Sequence, residues 1–107
     1  MKKEISEMLK ELGVTANYAG YYQTLYAVLL AAEDRGYLLS VTKSLYPEVA
    51  RRYNTSAAAV ERNIRTVVTH VWNRSQEPLM ELAGCRLRDK PTASQFIAIL
   101  VSHIVSE

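Results

Sequence analysis

Apolar positions along this chain recur at intervals of three and four residues, and no segment alternates as a strand would. Ile5, Met8, Leu9 and Leu12 share one face and Gly13 follows them, which predicts a helix over Lys2–Leu12. Tyr18 to Glu33 contains no proline and is almost continuously apolar, the pattern of a buried central helix ended by Asp34-Arg35-Gly36. Val41 to Tyr46 predicts a helical turn or two. Pro47 interrupts it and suits the first turn of a new helix, where a missing amide proton costs nothing. Val49, Ala50 and Tyr53 then line one face of a two-turn helix, and Asn54-Thr55-Ser56 breaks it. Asn tolerates the left-handed backbone of a tight turn, and Thr55 or Ser56 can cap a further helix.

That helix is expected from about Ala57 to Trp72, with Ala57, Val60, Ile64, Val67, Val68 and Val71 as its apolar stripe. Asn73 to Pro78 reads as a plain loop, Leu79 to Ala83 as one short helix, and Gly84 to Lys90 as an irregular charged connector. Thr92-Ala93-Ser94-Gln95 has the form of a capping box. It opens a last helix carrying Phe96, Ile97, Ile99, Leu100, Ile104 and Val105. The expected fold is all-α.

Composition narrows the class. The 107 residues, 49% hydrophobic and 22% charged, fit one compact domain and argue against intrinsic disorder. No apolar run reaches the roughly 18 residues of a membrane span, and Met1-Lys2-Lys3-Glu4 does not open a signal sequence, so a soluble, cytoplasmic chain is expected. The lone Cys85 excludes an intrachain disulfide. His70 and His103 have no ligand-spaced companion, no glycine-rich phosphate loop exists, and Cys85 has no histidine nearby in sequence. The chain reads as a non-enzyme, with no metal or cofactor. The seven tyrosines read as core and helix-contact groups whose hydroxyls reach the surface.

The net charge of +2 means little until it is mapped. Thr42 to Arg74 holds six basic residues against two acidic ones, a net +4; the remainder holds seven against nine, a net −2. A basic third on a mildly acidic remainder suits a face that meets a polyanion. Within it, Ala50, Asn54 four residues later and Val60 ten residues later match a helix-turn-helix over about 47–72.

At 100° per residue, with Val60 at 0°, the core stripe falls within about 80° of it. Ala58, Arg62, Arg65, Thr66 and Thr69 fall on the far side. Small residues at the helix start allow close approach to a groove. Arg62 and Arg65 can fork onto guanine, and Glu61 can accept from cytosine or steer an arginine. Ala58 and Thr66 complete the candidate base contacts. Lys43, Arg51, Arg52, Asn54, Thr55, Ser56 and Arg74 are the candidate phosphate contacts. The plainer reading of Glu61 and Arg65 is a surface ion pair across one helical turn.

Two blocks carry a family resemblance: Val41 to Thr55, with its Leu45-Tyr46-Pro47, and Val60-Glu61-Arg62-Asn63-Ile64-Arg65 running on to Trp72-Asn73-Arg74. With Lys90-Pro91-Thr92 and Ser94-Gln95-Phe96-Ile97-Ala98, they resemble the C-terminal effector domain of the stage 0 sporulation protein A response regulators. The resemblance implies a six-helix domain whose fifth helix enters the major groove of a short box resembling TGTCGAA. It also implies two copies on tandem boxes and an effect on transcription through RNA polymerase. Glu61, Arg62 and Arg65 stand at the family's recognition positions. The chain departs from the family pattern at Ala59, where a basic residue is usual, at Thr66, usually histidine, and at Ser75, usually glycine. No receiver domain is expected within the 107 residues, which leaves an excised effector domain or a stand-alone protein. The alternative is a helical interaction or dimerisation module whose last helix offers Phe96, Ile97, Leu100 and Ile104 to a partner.

Overall fold

A computed structural model describes residues 1–106, and within them six α-helices and no strand. They are α1 (Lys2–Glu11), α2 (Gly20–Glu33), α3 (Tyr46–Arg52), α4 (Ala57–Arg74), α5 (Gln76–Ala83) and α6 (Ala93–Val105). A 3₁₀ turn at Arg35–Leu39 and a π turn at Val41–Leu45 join α2 to α3. The all-α expectation holds. α4 is the fourth α-helix, and stands fifth when one of the two turns between α2 and α3 is counted as a helix.

α2 is the hub, packed on α1, α4 and α6. Its Leu25, Ala27, Val28, Ala31 and Ala32 are buried, whereas Tyr22 is exposed and Tyr21 and Tyr26 only half-buried. Ile5 and Leu9 of α1, Ile64 and Val68 of α4, and Phe96 and Leu100 of α6 meet it with no exposed surface. α1 ends where the sequence predicts: Gly13 takes φ +81°, and the Val14 amide turns back to the Leu9 carbonyl at 2.8 Å. The box at α6 is complete, with the Gln95 amide on Thr92 Oγ1 at 3.0 Å and the Thr92 amide on Gln95 Oε1 at 2.9 Å.

Three expectations are corrected. Asn73 to Pro78 is not a loop: α4 runs to Arg74, α5 begins at Gln76, and Ser75 alone separates them. Pro78 is the third residue of α5, in the first turn, where its missing amide leaves no helical bond unmade. The Ser75 hydroxyl donates to the Leu12 carbonyl at 3.0 Å, so the junction is anchored to the end of α1. Pro47, likewise, interrupts nothing. The π turn passes directly into α3, with the Tyr46 amide donating to the Val41 carbonyl five residues back. Finally, the apolar face of α6 is not available to a partner. Phe96, Ile97 and Leu100 are wholly buried against this chain's own helices and Ile104 is half-buried. Among the described residues no helix is long and apolar enough to cross a membrane.

Candidate nucleic-acid interface

The helix-turn-helix is built by α3, a four-residue turn and α4. α3 buries Val49 and Ala50 against α4. Its end is closed by Asn54, which carries the single positive φ (+54°) of any non-glycine among the described residues. The Thr55 amide reaches back to the Ala50 carbonyl at 3.0 Å. Of the two candidate caps, Ser56 is the one used: its hydroxyl accepts from the Ala59 amide at 3.1 Å and starts α4.

α4 is clamped along one side. Val60, Ile64, Val67, Val68 and Val71 are buried, and α2 approaches so closely that a Cβ on Gly20 would fall 2.5 Å from the Asn63 carbonyl oxygen and 2.8 Å from Val67 Cγ2. Only glycine fits there. Asn63, which falls where similar motifs often carry an apolar residue, instead donates from Nδ2 to Gln23 Oε1 on α2 at 3.1 Å.

The opposite side is open. Ala58, Arg62, Arg65 and Thr66 are exposed. Arg62 makes no salt bridge among the described residues. Arg65 Nη1 donates to both oxygens of Glu61, at 2.8 and 3.0 Å, so the plain ion pair does form. The Thr66 and Thr69 hydroxyls donate to the carbonyls of Arg62 and Arg65 one turn back, at 3.1 Å each. At 100° per residue, Asn73 continues this strip one turn beyond Thr69.

A concave surface of about 420 Å³ flanks the C-terminal half of the strip, lined by Arg65, Thr66, Thr69, Asn73 and Lys90 together with Tyr18 and His70. Lys90 is absent from the candidates read off the sequence. It belongs to the connector before α6, yet its Nζ donates to Thr69 Oγ1 at 3.0 Å and adds an exposed cation to the face of α4. Asn73 and Thr69 are legible from helical phase; nothing in the sequence signals Lys90.

The other candidates are distributed unevenly. Lys43 on the π turn, Asn54, Thr55 and Ser56 are exposed beside the N-terminal half of the motif. Arg51 is paired with Glu48 one turn earlier, which raises its already high pKa through that hydrogen bond and charge. Arg52 lies over the rings of Tyr53 and Tyr26, with its guanidinium carbon 5.4 and 5.8 Å from their centroids. Arg74, at the last position of α4, stands opposite Arg65 by helical phase and about 24 Å along the axis from Ala58. The structure does not bring it onto the face of Arg62 and Arg65. Cys85 is exposed, and no cluster of three metal-ligating side chains exists among the described residues.

The family described as sporulation initiation factor Spo0A C terminal matches residues 5–104, and the chain belongs to that family. It is a sporulation-initiation DNA-binding effector domain, of a family of transcription factors and not of enzymes, and its partner is DNA.

Proposed function

We propose that this Spo0A C-terminal domain reads a short DNA box by laying the N-terminal half of α4 into the major groove. The observation that carries the reading is the two-sided character of α4: one side is locked into the core, and the other is an exposed, cationic strip on which Arg62 makes no salt bridge among the described residues. In this reading Arg62 and Arg65 fork onto guanine edges, and Glu61 accepts from cytosine N4. Ala58 lets the backbone approach, and Thr66 offers its methyl to a thymine. Lys43, Asn54, Thr55, Ser56 and Lys90 meet flanking phosphates, with Arg51 and Arg52 joining when they leave Glu48 and the tyrosine rings. Arg74 is left out. The family resemblance supports a box like TGTCGAA, two copies on tandem boxes, contact with RNA polymerase and action where the chromosome lies.

The test is fluorescence anisotropy on the TGTCGAA duplex and its single-base variants across a salt series. Binding should fall steeply with salt. Arg62→Ala and Arg65→Ala should each cost about 1–3 kcal/mol on the preferred duplex and relax base choice at one position. Equal weakening on every sequence would reduce these arginines to phosphate contacts. No duplex binding at low salt would sink the reading.

A further inference from the structure

Behind the open strip lies a hydroxyl with no partner. Tyr46, the first residue of α3, is only 3% exposed, and its Oη is buried without a hydrogen bond among the described residues. The expectation that tyrosine hydroxyls reach the surface fails here. Buried polar atoms are nearly always bonded, so an orphan donor in a fold this well packed calls for an explanation.

Its surroundings supply one. Tyr46 and Glu61 line the same open cleft, of about 360 Å³, between the turns after α2, α4 and the start of α6. That space exceeds what a carboxylate needs to swing. Burial first, and the Glu61 charge second, push the Tyr46 phenol up to about 12, so it remains a protonated donor across the neutral range. Glu61 itself is held from outside only: both its oxygens accept from one nitrogen of Arg65. If Arg65 leaves for a guanine, Glu61 is left as a bare carboxylate facing a groove lined with phosphates, the worst place for an uncompensated negative charge.

We propose that Tyr46 is a positioning residue for Glu61: as Arg65 moves to DNA, the buried hydroxyl donates to one carboxylate oxygen and leaves the other aimed at the base. This rests on the reading that Glu61 and Arg65 meet bases. In the free protein Arg65 occupies Glu61 and Tyr46 waits; on DNA the carboxylate exchanges a surface partner for a buried one. A hydrogen bond to an ionised acceptor is among the stronger kinds, which suits it to replace an exposed ion pair. The first helix of the motif would thus set the side-chain geometry of the second.

The experiment measures affinities of the wild type, Tyr46→Phe, Glu61→Ala and the double variant for the TGTCGAA duplex, its single-base variants and an unrelated duplex, with thermal melts of each protein. Tyr46→Phe should weaken the preferred duplex about tenfold, the order expected for losing a hydrogen bond to a charge, and leave the unrelated duplex nearly unchanged. In the Glu61→Ala background the same substitution should change nothing. The melting temperature should hold or rise, because phenylalanine fills the same space without an orphan donor. Unchanged discrimination by Tyr46→Phe, with the wild type binding normally, would overturn the proposal. A marked fall in melting temperature, or equal loss on all duplexes, would overturn it in favour of a structural bond. A wild type that binds no duplex at low salt would instead remove the DNA reading beneath it.

Discussion

The two sides of α4 obey different rules. Every side chain on the buried side (Val60, Ile64, Val67, Val68, Val71) is packed into the core, and the approach of α2 at Gly20 leaves no room for a methyl group. On the open side, apart from Lys90, the polar contacts are made within α4 itself: Arg65 to Glu61, Thr66 to Arg62, Thr69 to Arg65. One side stabilises the fold and is intolerant of change. The other contributes almost nothing to the fold, which leaves its side chains available to an outside partner.

That contrast can be broken by substitution. The largest effect is expected at Ile64→Ala, which should cost about 2–5 kcal/mol in urea unfolding, because it removes buried methylenes and opens a cavity beneath the helix. Gly20→Ala should come second, at about 1–3 kcal/mol, since α2 must move off the Asn63 carbonyl. Its duplex affinity at temperatures well below the melt tests whether α4 keeps its pose when its support shifts. Arg62→Ala should invert the pattern, with unfolding free energy within about 0.5 kcal/mol of wild type despite the lost affinity. A stability loss near that of Ile64→Ala would mean that the open side is also structural. The smallest effect is expected at Lys90→Ala: a roughly uniform weakening across sequences, and a salt dependence reduced by about one counterion in its log–log slope. Loss of base discrimination there would move Lys90 from backbone contact to base reading.

The same contrast explains how much is legible in the sequence. α1, α2, α4 and α6 each carry a periodic apolar stripe or a local stop signal, and the Thr55 or Ser56 cap, the box at Thr92 and the left-handed Asn54 are written in adjacent residues, although only the structure chooses Ser56 over Thr55. Local rules suffice for these. They place Pro47 correctly in a first turn, where the backbone needs no amide, but miss that the π turn before it runs on into α3, and they read Pro78 as loop although it too lies in a first turn. Ser75 reads as part of a loop because its hydroxyl's partner, the Leu12 carbonyl, lies 63 residues earlier.

The site divides likewise. Arg62, Arg65, Ala58 and Thr66 share a face by helical phase alone, and any α-helix over Ala57–Arg74 would present them together. The phase of α4 also separates Arg74 from them, once the helix is known to run straight through Asn73. Lys90 on Thr69, Arg52 on the tyrosine rings and Tyr46 beside Glu61 are different in kind. Each joins residues from separate elements, and its geometry depends on how those elements pack. Sequence by itself determined the apolar stripes of α1, α2, α4 and α6, the box at Thr92 and the composition of the exposed strip, because these arise from interactions within a turn or two of backbone. Only the tertiary structure decided which cations are free, which are engaged, and that a buried hydroxyl waits behind Glu61, because contacts between distant segments are set by packing and leave no periodic trace in the chain.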